Sequence, residues 1–302
     1  MVSSKDAPKI SILSPSLNTG RFLRDTIESL NKQTSQNFEY IVVDGGSTDD
    51  TLDILKEYPE VRWISEKEEG ENAIVDAIWK AFSMSKGEYV IFLCISDGIV
   101  DKHWFETCVN ILDNDPEISA VWGLGQYMTE QGILGKVIDN HFFEDTPPQK
   151  MDFLPFWLSY GLGFESNACF RRSVFEECFS KNDINDLYRL HPSLGLIYRF
   201  NTRGYLPFFV PMIAYFGRAH ANQRNEACYE MLDRIAKKYM DDIKTYKKYL
   251  LSGKINHSFR DGESNIIKKI TKSDIKEFKK KYVIHKIKHK LRKYFEKFME
   301  HI

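Results

Sequence analysis

Along the first hundred residues, short apolar runs alternate with longer stretches whose apolar positions recur every three or four residues. KISILSPSL opens as a β-rich run and is ended by Pro15 and Asn18-Thr19-Gly20. RFLRDTIESLNKQ then carries Phe22, Leu23, Ile27 and Leu30 at helical spacing. YIVVD is a second apolar run, closed by Gly45-Gly46, and Ser47-Thr48-Asp49-Asp50 is suited to cap a helix holding Leu52, Ile54 and Leu55. VRWIS reads as a third strand, AIVDAIWKAFSMS as a helix, and EYVIFLCIS as a fourth strand that runs to Asp97-Gly98. Strands alternating with helices predict an α/β fold, with βαβ units around a parallel sheet. Ligands of such sheets sit beyond the carboxyl ends of the strands. Asp44 and Asp97 occupy two of those ends. A strand that stops on an acid before two glycines puts a carboxylate at the rim of a crevice, where the backbone is free to turn.

The second hundred residues are less regular. ISAVWGLGQYM reads as a strand and FRRSVFEECF as a helix. LIYRFNTRGYLPFFVPMIAYFGRAH reads as a helix end, a turn and a late strand. HFFEDTPPQKMDFLPFWLSYGLGFESNACF, rich in aromatics, Pro and Gly, is either an acceptor-binding wall or an irregular edge of the core. From Tyr229 the composition turns Lys- and Tyr-rich and helices are expected to the end. The division predicted is a domain over 1–225 and a basic helical extension over 226–302.

With 42% hydrophobic and 14% aromatic residues in 302, the chain can bury a substantial core. A net charge of −1 excludes a polyanion-binding role for the chain as a whole, but it hides an asymmetry. Residues 266–302 hold thirteen Lys/Arg against four Asp/Glu, so the remainder is acidic, which also argues against nucleic acid. In YVIHKIKHKLRKYFEKFMEHI the apolar Val283, Ile287, Leu291, Tyr294, Phe298 and Ile302 follow near-helical spacing among lysines. A basic amphipathic helix of this kind suits an anionic membrane interface, or docks on the rest of the protein or another subunit. No apolar run approaches a membrane span, and MVSSKDAPK lacks the apolar core of a signal peptide. Cys94, Cys108, Cys169, Cys178 and Cys228 are odd in number and match no zinc spacing, which fits buried thiols in a reducing compartment. The location expected is cytoplasmic, with a peripheral position on the inner face of the cell membrane.

SILSPSLNTGRFLRDTIESLNKQT followed by EYIVVDGGSTDDTLDIL resembles the N-terminal half of family-two inverting glycosyltransferases of the GT-A fold. ISEKEEGENAIVDAIWKAFSMSKGEYVIFLCISDG is similar to their next block, and RRSVFE and GRAH also look like family features. The likeness covers roughly residues 8–225. It implies a GT-A (nucleotide-diphospho-sugar transferase) fold, a mostly parallel central sheet flanked by helices, with the helical extension behind it. It implies transfer of a sugar from a nucleotide-sugar, such as a UDP-sugar, to a glycan or lipid-linked acceptor, in surface polysaccharide or glycolipid biosynthesis. By position in the family pattern, Pro15, Ser16, Asn18, Asp44, Gly45, Glu66, Ser96 and Asp97 border the donor, with Asp44 on the base or ribose. Asp97, with His220, would reach the diphosphate through Mn²⁺ or Mg²⁺. A divalent ion suits the two charges that a nucleoside diphosphate gains on leaving, and hard cations favour carboxylates.

The chain departs from the family pattern twice. The acidic pair of the DxD motif is here Ile95-Ser96-Asp97-Gly98, with one carboxylate. An inverting transferase also needs a general base on the acceptor hydroxyl. The family's Glu-Asp pair would fall near Pro192-Ser193 in HPSLGLIYRF and is absent. Glu165 and His191 are the candidates, Glu165 ahead, with Asp183 and Asp186 behind them. Arg171-Arg172 are either paired phosphate donors or a surface turn. Phe153, Phe156, Trp157, Tyr160 and Phe164 either stack on sugar rings or pack the core. A nucleotidyltransferase would need a Gly-rich phosphate loop after the first strand, and a dehydrogenase GxGxxG; SPSLNTG supplies neither. The reading from another class is a non-catalytic relative that binds nucleotide-sugars as a partner subunit.

Overall fold

The computed structural model describes residues 7–67, 73–138, 147–161, 167–179, 188, 191–220 and 229–299, with side chains as far as Ile287. The first half follows the expected alternation: β1 (Ile10–Ser16), α1 (Gly20–Asn31), β2 (Phe38–Asp44), α2 (Thr51–Glu57), β3 (Val61–Ser65), α3 (Ala73–Met84) and β4 (Tyr89–Phe92). There follow β5 (Gly98–Ile99), α4 (Trp104–Asn114), β6 (Ile118–Met128), β7 (Leu134–Ile138), α5 (Phe153–Tyr160), β8 (Cys169–Arg171), α6 (Arg172–Cys178), α7 (Pro192–Arg203) and β9 (Leu206–Arg218). The C-terminal part is α8 (Tyr229–Ser252), a hairpin of β10 (Ser258–Arg260) and β11 (Ile266–Lys269), and α9 (Lys272–Met299).

The main sheet has the order β3-β2-β1-β4-β8-β6-β9-β5, with β7 on β6. β3, β2, β1 and β4 run parallel, as the βαβ pattern requires. β6 and β9 also run parallel, and the short β8 pairs antiparallel with both β4 and β6, so the mostly parallel sheet is mixed beyond β4. Tyr40, Ile41, Val42 and Val43 are all buried, because helices cover both faces of the sheet there. Leu23, Ile27 and Leu30 face one side of the sheet together with Ile10, Ile12 and Tyr40, while Phe22 is buried against Arg218 and His220. Ile78, Ala81 and Phe82 of α3 cover the other, against Leu13, Ile41 and Val43.

Within the aromatic segment, residues 153–160 form the helix α5. It is apolar nearly all round because it is buried nearly all round: Phe153, Leu154, Phe156, Trp157 and Leu158 lie in the core. Trp157 donates to the Tyr239 hydroxyl at 3.0 Å. Of the aromatic set, Phe164 lies outside the described residues; Phe153, Phe156 and Trp157 are packing, and Tyr160, half-buried, donates to the His285 carbonyl of α9. Past residue 229 the chain is helical as expected, with a hairpin between the helices. Ile235, Tyr239, Ile243, Leu250, Phe259 and Phe278 enter the same core cluster as the sheet, so the extension is packed on the main body. No helix of the described residues is long and apolar enough to cross a membrane.

Candidate active site

β1, β2 and β4 end at one edge of the sheet, and the loops beyond them build the candidate site. The β2 end is a knot around Asp44. Its side chain is fully buried, and its carboxylate accepts from the Gly46 amide at 3.0 Å, the Ser47 amide at 2.9 Å, the Ser65 hydroxyl at 2.7 Å and the Ser47 hydroxyl. Burial alone would raise its pKa; the donors of Ser47, Ser65 and Gly46 outweigh that and hold it below the usual carboxylate value. Gly46 sits at φ +87°, a turn conformation that side chains disfavour. Asp44 is thus held by its own turn and by Ser65 of β3, and it shapes the rim from beneath.

The β1 loop is tied to this knot. Asn18 at φ +53° accepts from the Thr48 amide at 2.8 Å, and its own amide donates to the Ser47 hydroxyl at 2.7 Å. Asp49 accepts from the Gly20 amide on one oxygen and from the Thr51 amide on the other, at 3.1 and 3.0 Å. One carboxylate thus caps the starts of both α1 and α2. A Cβ on Gly20 would lie 2.9 Å from the Thr51 backbone nitrogen, so the close approach of the two loops favours glycine. Pro15, Ser16, Asn18 and Gly45 all line this rim, with Leu17 exposed beside them. Glu66 follows β3; its amide donates to the Asp44 carbonyl, and its exposed carboxylate pairs with Lys80 at 2.7 Å.

Asp97 stands in the turn after β4, which is shorter than its apolar run suggests: Leu93, Cys94, Ile95 and Ser96 leave the strand. Ser96 takes φ +119°, a strained value for serine. The Asp97 carboxylate, half-buried, accepts from the backbone amide of Arg218 at 3.1 Å, and the Ser96 hydroxyl lies 3.5 Å away. Its carbonyl accepts from Thr26 of α1 at 2.7 Å. Burial, with Asp97 close by, pushes the Cys94 thiol up to about 12, so it is inert as a nucleophile. Arg218, at the end of β9, is 3% exposed and reaches in four directions. Its guanidinium donates to the carbonyls of Ser96 and Glu130 and pairs with Asp25, and it stands 4.9 Å from the Phe22 ring centre. The His220 ring also packs on Phe22, with centroids 4.7 Å apart.

His191 is the N-cap residue of α7, whose far end leads through Gly204 to β9. The position where the family pair is expected holds Pro192 and Ser193, the first turn of α7, and no carboxylate. Glu165, Asp183 and Asp186 lie outside the described residues. Arg171 and Arg172 are at the opposite edge, because β8 runs antiparallel to β4 and ends beside Tyr89. Arg171 donates to the carbonyls of Ile118, Leu112 and Asp115; Arg172 donates to the Gly87 carbonyl and the Ser85 hydroxyl. The phosphate-donor reading of this pair is therefore corrected to structural pins. Among the described residues no three His, Cys, Asp or Glu side chains converge as a metal cage. Asp97 fits a divalent ion only as one ligand among diphosphate and water oxygens, an arrangement common for Mg²⁺.

The model of the family described as glycosyl transferase family 2 matches residues 11–179, more than half of the chain. The chain belongs to glycosyl transferase family 2. Relatives of the chain include the Escherichia coli chondroitin synthase, 32% identical over 134 residues, which span 43% of this chain and 19% of that one. The putative glycosyltransferase EpsH of Bacillus subtilis is 27% identical over 177 residues, 57% of this chain and 49% of that protein. This family 2 chain thus spans half or less of the length of these curated relatives. Among solved structures, S. aureus TarS 1-349 superposes with a TM-score of 0.56 at 15% identity, over 92% of this chain and 71% of that one. The mannosyltransferase PcManGT of Pyrobaculum calidifontis, in complex with GDP-Man and Mn²⁺, gives 0.52 at 16%, over 81% and 70%. Likeness at that identity shows the fold, and the fold is GT-A.

Arg218 is the residue of this family 2 site that sequence reading passed over. The signal was present in GRAH, where it stands two residues before His220. Its partners Asp25, Ser96 and Glu130 are 88 to 193 positions away, so no local pattern announces them.

Proposed function

We propose that the chain transfers a sugar from a nucleoside diphosphate sugar to a hydroxyl of a glycan or lipid-linked acceptor, with inversion, in surface polysaccharide or glycolipid biosynthesis. The observation that carries the reading is Asp97, held by β9 and α1 at the carboxyl edge of a family 2 sheet. The relatives named chondroitin synthase and EpsH support polysaccharide synthesis, and TarS structures in complex with UDP and with UDP-GlcNAc support a uridine donor.

In this reading the nucleoside lies over the β1 and β2 tips, where Pro15, Ser16, Asn18 and Gly45 form the surface that Asp44 braces. Glu66 closes the β3 side. The diphosphate lies at the Ser96-Asp97 turn, and Asp97 with His220 are the groups that would hold a divalent ion there. Such an ion supplies positive charge to the departing diphosphate. Arg218 keeps Asp97 aimed, and its buried positive charge favours the same anion. The acceptor proton goes to Glu165 or to the imidazole of His191, while the acceptor oxygen forms the new bond and the nucleoside diphosphate leaves. α9 supports a peripheral place on an anionic membrane face: Val283, Ile284 and Ile287 are about half exposed beside Lys280 and Lys286. A second reading, a non-catalytic nucleotide-sugar-binding subunit, draws on the α7 start, where Pro192 and Ser193 stand in place of an acid.

The test is release of nucleoside diphosphate from a panel of UDP- and GDP-sugars, with and without Mn²⁺, by wild type and Asp97→Ala. Slow release that is lost in Asp97→Ala supports the enzyme. Binding with no release from any donor, with or without acceptor glycans, supports the subunit.

A further inference from the structure

Asn167 is 4% exposed, and among the described residues neither its carboxamide oxygen nor its nitrogen has a hydrogen-bond partner. A buried side-chain amide with both ends unmet is rare, because burial strips its water and nothing is returned. Its place in the sheet is defined by its neighbours. Cys169 of β8 is opposite Ile91 of β4 on one side and Val121 of β6 on the other. Continuing that register by two residues puts Asn167 between Leu93 and Gly123. Leu93 follows β4 directly, three residues before Ser96 and four before Asp97. Because β8 runs against β4, the start of β8 and the tip of β4 share an edge, the edge that holds Asp97 and the end of β9.

The strand order then gives Asn167 a distinct station. From β2 to β1 to β4 to β8, the edge presents the Asp44 knot, the Asn18 loop, the Asp97 turn and Asn167 in sequence. On the donor reading above, the nucleoside covers the first two and the diphosphate the third. The next group along a nucleotide-sugar is the sugar ring. We infer that Asn167 is a specificity residue that hydrogen-bonds hydroxyls of the transferred sugar. A carboxamide offers donors and an acceptor side by side, which matches neighbouring ring hydroxyls, each of which donates and accepts. An amide also keeps its charge state across the working pH range, which suits recognition better than proton transfer.

The inference rests on the donor reading, and the experiment separates the two. Calorimetry on wild type, Asn167→Ala and Asn167→Leu uses UDP and UDP-GlcNAc, or GDP and GDP-mannose if wild type binds the guanine nucleotide. The expected result is nucleotide affinity unchanged within about twofold and nucleotide-sugar affinity weakened at least about tenfold. The ligand-free melting temperature should hold or rise, since an unmet buried amide has been removed. Equal weakening of nucleotide and nucleotide-sugar overturns the assignment to the sugar. Unchanged affinities for both overturn it as well, and mean that a trapped water serves the amide. Loss of several degrees of melting temperature with ligand affinities intact makes Asn167 structural and overturns it too. If wild type binds neither nucleotide, the donor reading itself falls and takes this inference with it.

Discussion

The backbone amide of Arg218 donates to Asp97 Oδ1 at 3.1 Å across 121 positions of sequence, while the Arg218 side chain holds the carbonyl of the preceding residue, Ser96, at 3.2 Å. The turn that presents the acid is thus clamped twice by one residue. A rigid carboxylate meets a diphosphate, or an ion on it, without first being ordered.

Arg218→Lys tests the clamp. Lysine keeps the charge beside Asp25 but lacks the planar fork that reaches Ser96, Glu130 and Asp25 together. Turnover should fall by about tenfold or more, with nucleotide affinity changed less, because positioning is lost rather than a donor contact. Steady-state kinetics with a melting curve decide it: a drop in kcat that merely follows a drop in folded fraction would count against the clamp.

Asp44→Asn addresses the knot. The amide cannot accept from all four donors, and stability at pH 7 should fall by about 2 kcal/mol. The pH dependence has a definite sign. Asp44 is held below its ordinary value in the folded protein, so its contribution is complete above the unfolded value of about 4 and is lost as pH falls through the folded value. Urea unfolding between pH 7 and pH 2.5 should show the gap between wild type and variant closing below about pH 4. A gap constant with pH would mean that the carboxylate is not ionised in the fold.

His257 gives a second titration, in a higher window and far from the site. It is 4% exposed and hydrogen-bonded to Tyr246; burial depresses its pKa from 6.5 to about 4. Below 6.5 the unfolded chain binds a proton that the folded chain refuses, so stability is lost as pH falls from 6.5 toward 4. The full loss is on the order of 3 kcal/mol. His257→Phe should flatten the stability curve over that interval while leaving the Asp44 transition in place.

The exposed apolar residues of α9 can be tested with vesicles. Replacing Val283, Ile284 and Ile287 together by Ser should reduce sedimentation with vesicles containing phosphatidylserine, and donor hydrolysis in solution should stay unchanged. Binding by wild type should weaken in high salt, since part of it is screened attraction. Equal sedimentation of wild type and variant would remove the membrane assignment.

The parallel half of the fold was legible because β1, β2 and β4 are short runs largely buried on both faces, β3 is a short run at the sheet edge, and each helix shows one apolar stripe. β1, β2, β3, α1 and α3 follow from those two patterns within a residue or two. What was not legible depends on direction and distance. Arg171-Arg172 look like site residues until β8 is seen to run downward, which puts them at the wrong edge. β8 itself has three residues, too few for any periodicity. α4 (Trp104–Asn114) went unread, although Trp104, Phe105, Cys108 and Leu112 have helical spacing and are buried. Asp44 was legible as a strand-end acid, but the sequence could not say that Ser65, twenty-one residues on, would fill one of its acceptor sites.

Asp49 joins the starts of two helices, and through them two loops that come from different strands. Neither loop can shift alone: displacing Asn18 strips the Thr48 amide, and moving Asp49 uncaps both helices at once. The mouth over β1 and β2 is therefore set when the chain folds. A nucleoside arriving there should meet a finished surface, with fast association and little entropy of ordering left to lose.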